Sequence, residues 1–266
     1  MIKNFWIVIF VFFLWTGTSF ASQSQQIHQK LEALEQIRGK FTFVVFGDNR
    51  SGDEKYRKLV SMAMERKPDF FVNIGDVIDR PGNRKQWDNF WQLSKPITVP
   101  YFLVVGNHDI HSSVPLSEKT YKDEVDLPGN ELYYSFHAGN SLFVVLDSEL
   151  KGQEKRIMGD QLTWLENVLK TSHSKHTFVF LHHPLYTSLW KGHHAHDSLD
   201  KFPEDRDGLQ ALFAKFRVAA VFAGHEHYYE KRTVDGVRLF ITGGGGAPMY
   251  DAEEQGGFFH FILVTV

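Results

Sequence analysis

Short apolar runs, each about the length of a β-strand, recur along the chain from residue 41 onwards. They are rich in aromatic and β-branched side chains and rarely alternate with polar ones, which is typical of strands buried on both faces of a sheet. The predicted strands are residues 41–46, 70–74, 101–105, 142–146, 177–181, 218–222, 239–242 and 258–266.

Segments with helical spacing of apolar residues precede or separate many of these runs. The predicted helices are residues 22–39, 53–67, 85–94, 160–171 and 209–216. Repeated alternation of strand and helix favours an α/β fold with a largely parallel or mixed sheet. Late in the chain only short turns such as Asp235 and Gly236 separate the strands, which predicts an antiparallel hairpin there.

The first 21 residues have the pattern of a secretory signal. Lys3 precedes an apolar run over residues 5–15, and Ser19 and Ala21 suit a cleavage site before Ser22. The alternative is an uncleaved membrane anchor, but eleven apolar residues span much less than the ~30 Å of a bilayer core. We therefore expect residues 22–266 to form one exported domain, periplasmic or secreted, with no stable membrane association after cleavage.

Composition narrows the classes of function. A content of 42% hydrophobic residues is enough for a large core, and the net charge of −3 argues against binding nucleic acid through its phosphates. The chain contains no cysteine, so an exported form must be stable without disulfides. Any metal site must then use oxygen and imidazole ligands.

Polar residues collect where five of the predicted strands end. The endings are Gly47-Asp48, Gly75-Asp76, Gly106-Asn107-His108-Asp109, His182-His183-Pro184 and Gly224-His225-Glu226-His227. The carboxyl ends of parallel strands share one edge of a sheet, and glycine lets backbones approach each other closely there. Each ending alone is most often an ordinary turn or loop. Together they predict one pocket.

The residue types at this edge form a mixed set of oxygen and nitrogen ligands. The candidate metal ligands are Asp48, Asp76, Asn107, His182, His225 and His227. Such a set suits Mn, Fe, Zn or Co better than Ca or Mg. Six ligands are too many for one tetrahedral ion but fit two ions that share a bridging group, the usual arrangement for phosphoester hydrolysis.

The order of these blocks resembles that of the calcineurin-like metallophosphoesterases, from residue 41 to the end of the chain. Two further segments, residues 228–232 and 243–247, are similar to the purple-acid-phosphatase branch of that family. The resemblance implies a four-layer α/β/β/α sandwich, in which helices flank two mixed sheets. It also implies a centre of two divalent or trivalent metal ions, Mn, Fe or Zn, at the strand ends.

Roles for single residues also follow from the resemblance. It implies a first ion held by Asp48, Asp76 and His227, and a second held by Asp76, Asn107, His182 and His225. His108 would protonate the leaving oxygen or steady the phosphoryl oxygens, and Asp109 would orient the His108 ring.

The first block departs from the family pattern. Many relatives have a metal-binding histidine two residues after the first aspartate, where this chain has Arg50. An arginine stays protonated and cannot bind a metal. Purple acid phosphatases lack this histidine too, but they have a tyrosine ligand at the position of Asp79. We expect Asp79 to lie outside the set of metal ligands; the alternative is that it binds the first ion. Arg50 and Arg80 are candidates for binding the substrate phosphate; for each, the alternative is a surface ion pair.

Residues 188–207 read as a loop that follows His182 closely enough to overhang the pocket. We interpret it as a lid that shapes substrate access, the alternative being a plain surface loop. His193, His194 and His196 are interpreted as bystanders rather than as metal ligands.

These observations predict an exported phosphoesterase. A metal-bound hydroxide would attack a phosphomonoester or phosphodiester of a small molecule. The alternative is a non-catalytic phosphate- or metal-binding protein on a degenerate scaffold. Arg50 favours that alternative, whereas the intact block from Asn107 to Asp109 argues against it. Export argues against a signalling protein phosphatase, and the charge balance against a nuclease.

Overall fold

The computed structural model of the chain describes residues 25–187 and 197–266. The predicted signal and the histidines of the predicted lid lie outside the described residues. The strands are β1 Thr42–Phe46, β2 Phe70–Asn73, β3 Tyr101–Leu103, β4 Tyr134–Ala138, β5 Ser141–Val145, β6 His176–Phe180, β7 Ala220–Ala223, β8 Tyr229–Val234, β9 Val237–Thr242 and β10 Ile262–Thr265. The helices are α1 Ile27–Glu35, α2 Asp53–Met64, α3 Arg84–Ser94, α4 Ser117–Glu124, α5 Gly159–Thr171 and α6 Pro203–Lys215.

The strands form two mixed sheets, as the family resemblance implies. The first has the order β10-β1-β2-β3, with β1, β2 and β3 parallel and β10 antiparallel at one edge. The second has the order β4-β5-β6-β7-β9-β8. Its four central strands are parallel, and β4 and β8 pair antiparallel at its two edges.

An aromatic layer joins the inner faces of the two sheets. The ring of Phe143 on β5 lies edge-on to Phe43 on β1 and to Phe70 on β2, with centroid separations of 5.2 and 5.1 Å. Such pairs contribute roughly 0.5–1.5 kcal/mol each beyond the area they bury. The two sheets are therefore held face to face, and the strand ends of both reach the same side of the molecule.

Helices cover the outer face of each sheet and complete the four layers. Tyr56 of α2 packs against Phe46 of β1, and Phe90 of α3 stacks on the Tyr56 ring. On the other side, Leu165 of α5 and Phe213 of α6 belong to a second apolar cluster with the strands of the six-stranded sheet. The predicted four-layer sandwich is confirmed.

The lists of predicted helices and strands omit α4 and the edge strands β4 and β8, although the predicted hairpin implies a strand where β8 lies. The exposure of β8 alternates along the strand, and its side chains are mostly polar. Our prediction relied on runs buried on both faces and so favours central strands over edges. The predicted hairpin is confirmed: β8 pairs with β9 across Asp235 and Gly236, both of which have positive φ.

Several element boundaries also differ from the prediction. Helix α6 begins at Pro203, with two acidic residues in its first turn. Residues 203–207 are therefore helical, and that part of the predicted loop 188–207 is wrong. Proline at the first helical turn costs no hydrogen bond, and acidic side chains favour the helix N-terminus. Strand β10 covers only residues 262–265 of the predicted run 258–266.

Within the described residues, none of the helices combines the length and apolar character that crossing a lipid bilayer requires.

Candidate metal centre

The candidate ligands come together from both sheets. In the first sheet, β1, β2 and β3 lead to Asp48, Asp76 and Asn107; in the second, β6 leads to His182 and β7 to His225 and His227. All of them except Asn107 are buried. Buried carboxylates and imidazoles are stable only when they are paired or bind metal.

One end of the cluster contains Asp48 and His227. The Nε2 atom of His227 lies 3.4 Å from Oδ1 of Asp48. It is buried and has no hydrogen-bond partner among the described residues. Both Asp48 carboxylate oxygens accept from the backbone N–H of His225, at 3.1 and 3.0 Å. A buried nitrogen without a partner, facing a carboxylate, is what a metal ion between them would explain.

The other end of the cluster is centred on the side-chain oxygen of Asn107. This oxygen lies 3.0 Å from Nε2 of His182 and 3.0 Å from Nδ1 of His225. The same Nε2 of His182 is 3.3 Å from Oδ1 of Asp76. One amide oxygen, one carboxylate oxygen and two ring nitrogens thus converge on one point. Asp48, Asp76 and His182 together have ligand atoms within 4.8 Å of one another.

The protonation of two rings is fixed from outside the cluster. His182 donates its Nδ1–H to the carbonyl of Ile74 at 2.8 Å, and His227 donates its own to the carbonyl of Pro248 at 2.8 Å. Nε2 is therefore the nitrogen that each ring directs at the cluster. This arrangement, in which the distal nitrogen is held by an acceptor, is usual for metal-binding histidines.

The electrostatics of the cluster also suit a cation. Burial opposes ionisation of Asp76, yet His182, His108 and Arg50 hold the pKa of that carboxyl well below its usual range. Burial, with His183 and His182 nearby, lowers the pKa of His225 to about 3. Its ring is therefore neutral, which is the form that binds a metal. The residues present thus fit metal ions in both charge and donor type.

Glycine permits the close approach of the strand ends. A Cβ added to Gly106 would lie 2.3 Å from Oδ1 of Asp76, and one added to Gly224 would lie 2.4 Å from Oδ2 of Asp48. Asp48, Asp76 and His225 also have positive φ values of 58°, 56° and 66°. Such backbone conformations cost roughly 1–3 kcal/mol each and are concentrated at functional sites.

The His108 ring lies at the open side of the cluster. Its Nδ1 is 2.7 Å from the carbonyl oxygen of Asp79, to which it donates, and its Nε2 is 4.0 Å from Oδ2 of Asp76. The ring is 30% exposed, in contrast with the buried side chains of Asp76 and His182. Nε2 is thus free to face a molecule that enters from solvent.

Our expectation that Asp109 orients the His108 ring is wrong, because the Asp79 carbonyl does so. The Asp109 carboxylate is buried and accepts instead from four backbone N–H groups. These donors are Asp76, Val77 and Gly106 at 2.9 Å and Ile78 at 3.3 Å. Burial and the nearby Asp76 carboxylate raise the pKa of Asp109 to about 7. Asp109 therefore joins the loops after β2 and β3, which carry Asp76 and Asn107.

Arg50 contacts two carboxylates. Its Nε lies 3.2 Å from Oδ2 of Asp76, and its Nη1 lies 3.2 Å from Oδ1 of Asp79. Asp79 also accepts from the hydroxyl of Ser51 at 3.1 Å. This pairing supports placing Asp79 outside the ligand set. Arg80 is 79% exposed and only 4.0 Å from Asp79, the geometry of a surface ion pair.

Three further residues touch the cluster through contacts that were not predicted, although one of them, Asp197, belongs to the predicted lid. Tyr250 stacks on the His227 ring with centroids 4.0 Å apart, and the ring of His183 lies 4.1 Å from that of His225. Asp197 contacts Nε2 of His225 at 3.3 Å. The sequence offers two signals near these residues, the glycine-rich stretch before Tyr250 and the His182-His183 pair. Neither signal predicts which side chains the three residues contact.

A sequence model of the calcineurin-like phosphoesterase family matches residues 41–229, which hold every candidate ligand. The chain belongs to the calcineurin-like phosphoesterase family. Purple acid phosphatase 21 of Arabidopsis thaliana is 30% identical over 203 residues, which are 71% of this chain and 44% of the plant protein. Purple acid phosphatase 23 of the same plant is 29% identical over 62% of this chain and 36% of its own length. The chain thus spans less than half of these two relatives.

A third relative of this chain is the serine/threonine-protein phosphatase CPPED1 of Pongo abelii. It is 28% identical over 76% of this chain and 70% of the relative. Among solved structures, the yellow lupin (Lupinus luteus) purple acid phosphatase PPD1 superposes with a TM-score of 0.68 at 21% identity. The match covers 86% of this chain and 50% of the lupin chain. A dimetal phosphatase from Danio rerio superposes with a TM-score of 0.56 at 18% identity, over 76% of this chain and 86% of the Danio rerio chain. Both confirm the fold.

The contacts of Arg50 generate a prediction about the two metal sites. Oδ1 of Asp76 faces His182, whereas Oδ2 is taken by Arg50, so the guanidinium competes with any ion at the first site. We expect purified protein to contain between one and two metal ions and to gain activity with added Mn²⁺. Arg50→His should tighten first-site binding, because it removes a fixed positive charge and adds a ligand.

Isothermal titration with Mn²⁺ measures this, with Arg80→His as the control because Arg80 is exposed. If Arg50 also contacts the phosphate, KM rises in Arg50→His while metal affinity improves. Two fully occupied sites that resist mild chelation, unchanged in Arg50→His, would contradict the assignment and redirect attention to Asp79.

Proposed function

We propose that this chain is an exported, metal-dependent phosphoesterase that hydrolyses phosphomonoesters or phosphodiesters of small molecules. The observation that supports it most is the convergence of donor atoms. Two carboxylates, one amide oxygen and three imidazoles from five strand ends meet in one cluster, in which every candidate ligand except Asn107 is buried. Export rests on the predicted signal at residues 1–21, and we propose that residues 22–266 are one domain.

We assign the ligands to two ions. The first would be held by Asp48, Asp76 and His227, and the second by Asp76, Asn107, His182 and His225. We propose Asp76 as the bridge: Oδ1 faces His182 of the second site, and Oδ2, which pairs with Arg50, is the oxygen that a first ion would have to share with that guanidinium. When bound, the ions supply an activated water as nucleophile and neutralise charge that develops on the phosphoryl oxygens.

His108 is the proposed general acid. The carbonyl of Asp79 fixes its Nδ1–H, so Nε2 is the nitrogen that faces the cluster and the solvent. A protonated Nε2 can donate to the leaving oxygen as the phosphorus–oxygen bond breaks, or to a phosphoryl oxygen. The ring needs no change of orientation to do so, because the Asp79 carbonyl already holds its Nδ1.

Arg50 is the proposed phosphate contact. Its guanidinium is 15% exposed and lies beside Asp76. Five fixed N–H donors allow it to keep the Asp79 contact and still donate to a phosphoryl oxygen. Arg80 was a second candidate from the sequence. The Arg80 side chain is 79% exposed, which favours its surface ion pair with Asp79 over a contact with the substrate phosphate.

The substrate class is a phosphorylated small molecule. A net charge of −3 provides no field to hold nucleic acid. One relative is named a serine/threonine-protein phosphatase, so a phosphopeptide belongs among the substrates to be tested.

A direct assay distinguishes an enzyme from a non-catalytic binder on the same scaffold. Purified residues 22–266, loaded with Mn²⁺, should hydrolyse an aryl phosphate monoester, an aryl phosphate diester or both, and a chelator should abolish the turnover. A phosphoserine peptide is assayed in parallel to separate the two substrate classes. Protein that holds two metal ions but hydrolyses none of these would support the non-catalytic alternative.

His108→Ala tests the general acid. We expect turnover to fall by roughly 10²–10⁴, the usual contribution of a positioned acid or base, with metal content unchanged. The loss should be smaller for nitrophenyl phosphate, whose leaving group needs little protonation, than for an alkyl phosphate. His111→Ala is the control, because His111 is a neighbouring exposed histidine that contacts Ser113. Loss of metal in His108→Ala would show that His108 is a ligand.

A further inference from the structure

The three imidazoles of the metal centre are oriented by different kinds of acceptor. His182 and His227 each donate the proton of Nδ1 to a backbone carbonyl. His225 is reversed: its Nδ1 faces Asn107, and its Nε2 faces the carboxylate of Asp197, 3.3 Å away. We propose that Asp197 is a positioning residue that fixes the tautomer of His225 and strengthens this ring as a ligand of the second ion. The inference rests on the second metal site of the proposed function.

The tautomer follows from the groups on the two sides of the ring. On the cluster side, Nδ1 of His225 lies 3.0 Å from the Asn107 oxygen, which has only lone pairs to offer. If Nδ1 of His225 and the Asn107 oxygen bind the same ion, Nδ1 must be unprotonated and the proton of the neutral ring must be on Nε2. Asp197 is placed to accept that proton's hydrogen bond. A carboxylate acceptor makes the imidazole more basic than a carbonyl acceptor does.

Asp197 is itself held in place. Its Oδ1 forms an ion pair with the ammonium group of Lys155, while Oδ2 faces His225. The Lys155 side chain is 19% exposed and that of Asp197 31%, so the pair lies at the edge of the buried cluster. Lys155 balances the added negative charge without touching the candidate ligands. Asp197 can then remain ionised next to a neutral ring.

His183 lies beside the His225 ring, with the two ring planes tilted by 42°. The His183 ring lies 4.1 Å from that of His225, and its Nδ1 is 2.8 Å from Oε1 of Glu149. His183, Asp197 and His225 have potential ligand atoms within 4.8 Å of one another. A third ion here would need His225 to bind metal through both nitrogens as an imidazolate. A neutral imidazole that donates from Nε2 satisfies the same atoms at lower electrostatic cost, so we assign a hydrogen bond rather than an ion.

The test measures metal affinity rather than activity. A His227→Ala background removes the only imidazole of the first site, so that Mn²⁺ binding reports the second site alone. In that background Asp197→Asn should weaken Mn²⁺ binding by roughly 10–100-fold, the usual effect of losing an outer-shell partner. Asp197→Glu, which keeps the carboxylate, should recover a large part of the loss.

A matched control comes from the neighbouring ion pair. Asp205 pairs with Arg156, the residue after Lys155, and its side chain is 32% exposed, close to the 31% of Asp197. Asp205→Asn should leave Mn²⁺ affinity within about twofold of the background. Circular dichroism of each metal-free variant verifies folding. If Asp197→Asn does not fold, Lys155→Gln takes its place, because it removes the ion pair that holds Asp197 but keeps the Asp197 carboxylate. This variant should weaken Mn²⁺ binding measurably but by less than tenfold, and unchanged affinity would contradict the role of the pair.

The outcomes separate this inference from the proposed function. Unchanged Mn²⁺ affinity in Asp197→Asn, with a normal second site in the background protein, would overturn the role of Asp197 alone. Three metal equivalents in the wild-type protein, one of them lost in Asp197→Asn, would overturn it in favour of a third ion. A wild-type protein that binds no metal would overturn both this inference and the proposed function.

Discussion

The structure depends most on the burial of negative charge between the two sheets. Asp48 and Asp76 are almost completely inaccessible to solvent, and an ionised carboxylate in such a place is costly unless cations balance it. Arg50 supplies one positive charge, and together with His182 and His108 it holds the pKa of Asp76 well below its usual range. The cluster is therefore built for metal ions, and its other features can be understood as means of holding the two carboxylates where they are.

Those means act at several levels of the fold. The Phe43, Phe70 and Phe143 rings join the sheets and so bring the strand ends to one side. Glycine at Gly106 and Gly224 allows backbone and carboxylate to approach each other more closely than a Cβ would permit. Fixing these side chains beforehand matters for catalysis, because a preorganised site needs no rearrangement when charge develops in the reaction.

Much of this could be predicted from the sequence, because central strands and strand-end ligands have strong local signals. The apolar runs before Asp48, Asp76 and His182 indicate buried parallel strands, and the parallel arrangement implies that their ends converge. Edge strand β8 has no such run, and its pairing with β9 depends on register rather than composition. Contacts between distant loops have no local signal at all. The role of Asp109 was mistaken for that reason, and the Asp197–His225 contact was missed.

Arg50 marks the point at which this chain differs from the common family pattern. Its guanidinium occupies one oxygen of the carboxylate assigned as the bridge. The guanidinium already balances part of the negative charge that a first ion would balance. It cannot activate a water molecule as a metal ion does. The same charge is well placed to attract a phosphate. In the proposed site, one side chain would therefore couple the binding of the first ion to the binding of the substrate.

The central claim is that one buried carboxylate anchors two metal ions. Metal stoichiometry of the wild-type protein and of Asp76→Ala, measured by plasma mass spectrometry after saturation with Mn²⁺ and removal of free metal, tests it most directly. The account predicts close to two ions in the wild-type protein and loss of both in Asp76→Ala, because each site loses a carboxylate oxygen. An Asp76→Ala protein that still binds two ions with near-wild-type affinity would contradict it.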